Sequence, residues 1–464
     1  MRILFVQFQP PGREPATVRF DARLGVLSAL LRERGHQTSL VALSRYDPDD
    51  LRIKIAHHRP QMVYADIHAV AADLARRTIA AIAEKHYLPV VAGGYFPTVA
   101  PDRALSFPGV QAVVIGEADR AFPAYLDAQA DLASGPVAGV WFNSDAGVVK
   151  SDLPELVTDL DALPWADRML FGYQSHIDRT GEAEVAAVRG ASHTCAYTIN
   201  DWLMEIYEDR GPWVRRRSPG DVCDEIESLL ATFGGVRRIR FDDEGFVEDP
   251  AWLAELADAY GQRVGLPMRC HVRANRLDAG RADSLAAAGC TWADIEVISG
   301  SDFIRNEIFD MDLSETQIVR TFGLLAERGI RTRAINFIGS PYETEVSVEE
   351  TVWLNRRIRP PWVEARVYYP LPRTRAAELC SESGWISARG AECFEAGESI
   401  LDMPSLPAAR IRDLAERFCW DVAYPRCGRL MRWLARLRLI HRHRAGRLEG
   451  ARHALGAAGG EGCP

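Results

Sequence analysis

At 464 residues, 47% of them apolar and 26% charged, the chain is compositionally globular and long enough for two or three domains. Its formal net charge of −9 excludes a general attraction to nucleic acid, and no uninterrupted apolar run approaches the roughly 20 residues of a membrane-spanning helix. Nine scattered cysteines without a CxxC pair exclude a disulfide framework and read as reduced thiols, and the N-terminus lacks a signal-peptide pattern, so a cytoplasmic protein is expected.

In chain order, residues 2–125 alternate strand-type apolar runs with helix-length amphipathic segments. The runs are Ile3–Phe8, Thr38–Leu43, Met62–Ala65, Pro89–Ala92 and Ala112–Ile115, and Leu24–Arg34 is a helix between the first two. This is the rhythm of an α/β, doubly wound (Rossmann-like) parallel sheet, which predicts a domain over residues 1–135. Ligands of such sheets sit beyond the C-terminal strand ends, which directs attention to Gln9–Arg13, Asp66–Ala69, Gly93–Thr98 and Gly116–Asp119. Residues 136–175 lose the alternation and carry Leu153-Pro154 and Asp159–Pro164, a composition suited to an extended linker.

From 176 to 375 the rhythm returns with runs at Glu184–Val188, Arg238–Phe241, Met268–Val272, Asp294–Ile298, Thr332–Phe337 and Glu364–Tyr369. Six such units fit a partial TIM-type barrel better than a second open sheet. Residues 376–464 read as a helical C-terminal region with a disordered tail from Ala454. Within it, Arg429–Arg444 is a basic amphipathic segment. It is expected to pack its Leu and Trp face on the barrel, the alternative being a partner protein or an anionic membrane surface.

Three segments of the first domain stand out: Leu24–His36, Ala92-Gly93-Gly94-Tyr95-Phe96-Pro97-Thr98 and Val114-Ile115-Gly116-Glu117-Ala118-Asp119. Glycine after a strand serves a tight turn, and at 93 and 94 it also lets the backbone approach a flat macrocycle or its nucleotide tail. In the second half, Val188–Thr198, Trp213–Pro219, Arg240–Phe246, Arg273–Arg276, Ala288-Gly289-Cys290, Ile298–Asp302, Asn336–Thr344 and Pro370–Thr374 follow in order. Together these segments resemble the cobalamin-binding branch of the radical S-adenosylmethionine (SAM) enzymes, a cobalamin-binding domain fused to a radical SAM barrel, across nearly the whole chain.

The resemblance implies cobalamin held by Asp66, Ile67, His68, Gly93, Gly94, Pro97, Thr98, Gly116 and Glu117. It also implies the remnant of a SAM pocket at Tyr197, Arg273, Ser299 and Gly300. Asp66-Ile67-His68 superficially matches the DxHxxG signature whose histidine ligates cobalt. However, it follows the third strand instead of the first, and Ala71 stands in the place of the glycine. His68 therefore reads as an ordinary loop histidine, with cobalamin bound without a histidine under the cobalt.

Two departures bear on mechanism. The family pattern CxxxCxxC falls on Ala191, Cys195 and Thr198, and a [4Fe–4S] cluster that activates SAM needs three thiolates, so no cluster is expected and no other metal site is read. The family pattern GxESG places its first glycine at Glu296 and its glutamate at Ile298, which puts the SAM pocket in doubt.

The leading reading is a cobalamin-dependent enzyme that transfers a methyl group, or performs another cobalt-centred step, on a small organic substrate, with SAM as an optional second cofactor. The alternatives are a non-catalytic cobalamin-binding sensor or partner of an intact enzyme, and a cluster-ligand variant of an ordinary cobalamin-dependent radical SAM enzyme. No catalytic residue is assigned. Asp242-Asp243-Glu244 reads as a loop or pocket wall, because nothing is spaced to complete a site around it. No GxSxG, HExxH or Walker pattern occurs.

Overall fold

A computed structural model of the protein describes residues 1–9, 18–130, 135–144, 147–388 and 398–423. The first sheet is built from β1 (Arg2–Phe8), β2 (Gln37–Leu43), β3 (Met62–Ile67), β4 (Val90–Gly93) and β5 (Val110–Val114), with α1 (Ala22–Glu33), α2 (Pro48–His58), α3 (Ala72–His86), the short α4 (Tyr95–Val99) and α5 (Pro101–Leu105), and α6 (Ala118–Ala130) as connections. The strand order is β2–β1–β3–β4–β5, all parallel. A hairpin of β6 (Val140–Ser144) and β7 (Gly147–Val149) then adds two antiparallel strands beyond β5, inside the stretch that reads as linker.

Strand periodicity divides the side chains between the two faces. Val63, Ala65 and Ile67 of β3 pack on one side with the buried residues of α3, whereas Met62 and Tyr64 pack on the other with α1 and α6. Asp66 follows Tyr64 onto that second face, at the C-terminal end of the strand.

The second sheet holds β8 (Glu182–Glu184), β11 (Arg238–Phe241), β12 (Met268–Val272), β13 (Cys290–Ile298), β14 (Arg331–Ile338) and β15 (Trp362–Val367), in sequence order and all parallel. A small antiparallel ribbon pairs β9 (Val188–Arg189) with β10 (Arg215–Arg216). The helices are α7 (Tyr173–Thr180), α8 (Asn200–Ile206), α9 (Pro219–Thr232), α10 (Pro250–Arg263), α11 (Ala279–Ala287), α12 (Glu315–Glu327), α13 (Glu345–Ile358), α14 (Arg375–Glu382) and α15 (Ala408–Ala423). This is the expected partial barrel.

One face of each barrel strand feeds the apolar core, for example Ile239, Phe241, Cys270, Val272, Ile295 and Val297. The alternate positions carry charge, paired laterally between neighbouring strands: Arg238–Glu182 at 2.8 Å, Arg269–Asp294 at 2.8 Å, Arg333–Asp294 at 2.8 Å and Arg333–Glu364 at 3.0 Å. The basic segment Arg429–Arg444 and the tail lie outside the described residues. Among the described residues no helix is long and apolar enough to cross a membrane.

Candidate functional site

A cavity of about 430 Å³ opens between the C-terminal ends of the first sheet and the mouth of the barrel. Asp66, Gly94, Thr98, Gly116 and Glu117 form its first wall. Thr98 stitches the loops there: its hydroxyl donates to the Gly94 carbonyl at 2.7 Å and accepts the Gly116 N–H at 3.0 Å. Gly94 has φ +91°, and a Cβ there would overlap the Asp66 carboxylate. Burial raises the Asp66 carboxyl to about 7, with Arg23 opposing the rise and Asp21 adding to it.

The two domains are fastened along this cavity. Glu117 takes Arg215 with both oxygens, at 3.0 and 2.5 Å, and Arg189 binds Asp119 at 2.6 and 3.2 Å. Gly116 has φ +74°, and a Cβ on it would run into the Tyr207 hydroxyl, which accepts the Glu117 N–H at 3.0 Å.

A strap of residues 160–168 supplies another wall. Asp167 accepts the Ser28 hydroxyl at 2.8 Å and donates its N–H to the Gly25 carbonyl at 3.0 Å. Gly25 is required because a Cβ there would press on Ala166. Trp165 Nε1 donates to Asp221 at 2.9 Å, and Arg168 pairs with the buried Glu225 and donates to the Glu184 carbonyl at 2.6 Å. Removing one member of a buried pair such as Arg168–Glu225 costs about 3–5 kcal/mol.

The barrel side of the cavity includes Ala186–Gly190, Trp213 and Asp243. The Ala187 N–H donates to Asp243 Oδ2 at 2.9 Å.

The loop that carries the degenerate cysteine pattern lies apart from this cavity lining. Cys195 is fully buried, its sulfur 3.4 Å from Thr198 Oγ1 and 4.0 Å from Arg273 Nη1. His193 is buried between Glu244 and Glu248, at 3.3 Å from each. Burial opposes its charge, but hydrogen bonds to Cys195, Glu244 and Glu248 outweigh burial and raise it to about 10. The Tyr197 hydroxyl donates to Glu296 at 2.7 Å.

These residues do not fit a [4Fe–4S] cluster: one position of three offers sulfur, and its tip touches the next position instead of flanking a space. Among the described residues no group of three or more His, Cys, Asp or Glu side chains is arranged to hold a metal ion.

The sequence-derived residues thus divide. Asp66, Gly94, Thr98, Gly116 and Glu117 line the cavity, whereas Ile67, His68, Gly93 and Pro97 do not. Ile67 faces the core of the opposite sheet face, His68 stacks on Tyr95 at the surface, Gly93 backs onto Tyr64, and Pro97 is buried in α4. Tyr197 and Arg273 cluster around Cys195 and Glu296. Gly300 packs against the backbone of α13, and Thr351 of that helix accepts the Gly300 N–H at 2.7 Å and contacts Ser299 at 3.3 Å. Ile298 sits at φ +64°, a conformation costly for a β-branched residue. Asp243, read from the sequence as part of a loop or pocket wall, does line the cavity, whereas sequence reasoning missed Arg23, Tyr64, Tyr207, Arg215 and the strap.

A family model described as the B12 binding domain matches residues 18–126. The chain is 24% identical over 392 residues to the anaerobic magnesium-protoporphyrin IX monomethyl ester cyclase of Rubrivivax gelatinosus, a match covering 80% of this chain and 68% of that protein. Its fold is shared by TsrM, a radical S-adenosylmethionine methyltransferase from Kitasatospora setae. With tryptophan substrate and the SAM analogue aza-SAM bound, that structure superposes at TM-score 0.64, with 18% identity over 90% of this chain and 82% of TsrM. With cobalamin and a [4Fe–4S] cluster bound, it superposes at TM-score 0.63, with 19% identity over 82% and 75%. The B12-binding part of the resemblance is thus matched in the first half of the chain, and the overall fold is shared across both halves.

The lining suits cobalamin in kind: glycine loops at the strand ends that let a macrocycle approach the backbone, and an apolar stretch of α1, Leu24, Val26 and Leu27, with Tyr64 also in the wall.

Proposed function

We propose that this chain, built as a B12-binding domain on a radical SAM fold, binds cobalamin in the shared cavity and transfers a methyl group to a small organic substrate without a complete [4Fe–4S] cluster. The observation that carries this reading is the single cavity joining the loops of the first sheet to the barrel mouth. Gly94, Thr98 and Gly116 would hold the face of the cofactor, with Leu24, Val26 and Leu27 along its tail. Bound cobalamin supplies a carbon–cobalt bond whose methyl group passes to a nucleophile.

The protein's own share is positioning and exclusion of water. The Glu117–Arg215 and Asp119–Arg189 pairs hold the two walls in one register, and the strap closes the side between α1 and α9. SAM as methyl donor would take Tyr197, Arg273, Ser299 and Gly300, the residues that the resemblance implies for its pocket.

A second reading, a cobalamin-binding sensor or partner protein, is favoured by the sealed environment of Cys195. Incubating the full chain with isotopically labelled methylcobalamin and a pool of small metabolites separates the two. Retention of one equivalent of cobalamin after desalting together with labelled product supports methyl transfer. Retention without product supports the sensor, and no retention overturns both.

A further inference from the structure

Among the carboxyl groups that line the cavity, most are already committed. Glu117 and Asp119 are held by Arg215 and Arg189, and Glu225 by Arg168 and Arg217. Asp66 stands on the opposite wall, in the first domain, in the field of Arg23 and Asp21. Asp243 differs. It follows β11 by two residues, at the strand end where barrels place their chemistry. Its Oδ2 is fixed by the Ala187 N–H, and among the described residues it makes no ion pair. Its neighbours in charge are Asp242 and Arg217. Burial and Asp242 raise its carboxyl to about 7, against the Ala187 and Val188 N–H groups and Arg217.

We propose that Asp243 is the proton acceptor of this site, facing the cobalt-bound group across the cavity and taking the proton that an O–H or N–H substrate loses on methylation. This rests on the cobalamin reading above. The substrate lone pair forms the new bond to the methyl carbon of methylcobalamin, and the carbon–cobalt bond breaks with its electron pair left on cobalt. The substrate proton moves to the Asp243 carboxylate, which balances atoms and charge. A base here selects nucleophiles that are protonated at neutral pH, such as alcohols, phenols or ring N–H groups, over thiolates, which need none.

The test needs no substrate. The full chain is loaded with hydroxocobalamin, and the spectral change between cobalt-bound water and cobalt-bound hydroxide is followed against pH. A carboxylate facing that water stabilises the more positive aquo form, so the midpoint in the wild type should lie above that of free hydroxocobalamin. Asp243→Asn should lower it by about one pH unit or more, while Asp242→Asn, the same charge change outside the cavity lining, should leave it in place. A wild-type midpoint equal to that of free cobalamin and unmoved in Asp243→Asn overturns the proposal. Absence of any transition does so too, because a side chain then occupies the cobalt face. If Asp243→Asn does not fold, the wild-type midpoint against free cobalamin decides alone. Failure of the wild type to retain hydroxocobalamin identifies the cobalamin reading as the fault, and the proposal falls with it.

Discussion

Gly116→Ala tests the junction between the two domains, and its cost is calculable from two separate terms. Gly116 sits at φ +74°, where an L side chain costs roughly 1–2 kcal/mol. The added Cβ would also come closer than 3.0 Å to the Tyr207 hydroxyl. The ring must then withdraw, and the hydrogen bond from the Glu117 N–H, about 0.5–1.5 kcal/mol, is lost. The sum is roughly 1.5–3.5 kcal/mol. Tyr207→Phe alone strands the Glu117 N–H at about 1–3 kcal/mol. In the double variant the closest overlap, with the hydroxyl, is gone although the ring's Cζ still lies 2.8 Å from the new Cβ; the hydrogen bond is lost only once, so the combined cost should fall short of the sum by about 0.5–1.5 kcal/mol. The assay is urea unfolding of the four proteins as a double-mutant cycle. A Gly116→Ala cost below about 0.5 kcal/mol, or strict additivity with Tyr207→Phe, would refute the argument.

Three further outcomes are expected. Reconstitution with iron and sulfide should load far less than one [4Fe–4S] cluster per chain, measured as iron, sulfide and cluster absorbance; stoichiometric loading that vanishes in Cys195→Ala would sink the ligand argument. Gly94→Leu should weaken hydroxocobalamin binding roughly tenfold or more, because φ +91° and the Asp66 contact leave no room for a side chain; equal affinity with the fold intact would move the cofactor elsewhere. The His193 pKa is raised from 6.5 to about 10 in the folded chain, so its charge stabilises fully below pH 6.5 and that contribution is lost as pH rises through 10. The stability gap between wild type and His193→Gln should accordingly narrow between those limits, and a gap in urea unfolding that is unchanged at pH 10.5 would contradict this.

What was legible in the sequence was what local periodicity encodes. Ten of the eleven parallel strands, five in the first sheet and five in the barrel, are near-continuous apolar or alternating runs whose observed bounds differ only at their ends; the first barrel strand, read at Glu184–Val188, instead lies at Glu182–Glu184 and shares one residue with that run. β6 and β7 escaped because an edge hairpin half exposed to solvent carries little alternation. Within the cofactor loop, the strand period itself separates the residues: it turns Tyr64 and Asp66 toward the cavity and Ile67 toward the opposite core, a distinction that the motif alone does not make. Tyr207 and Arg215 were missed for another reason. Each acts on a group distant in sequence, both meeting Glu117, and no local signal marks such a meeting. Ser299-Gly300 was legible as a turn, but its partner, Thr351, lies on a helix 51 residues further on.

The strap across residues 160–168 also has a temporal consequence. It is fastened at Ser28 and Gly25 on one side and at Asp221 and Glu225 on the other, so widening the cavity on that side means releasing several of these bonds together. A ligand as large as a corrin is then governed by how often the strap lets go, whatever its equilibrium preference. Cobalamin taken up while the chain folds should exchange slowly with cobalamin in solution, and the wild type should carry its first cofactor through dilution. Ser28→Ala should shorten that residence time with little change in how much cofactor is bound at saturation.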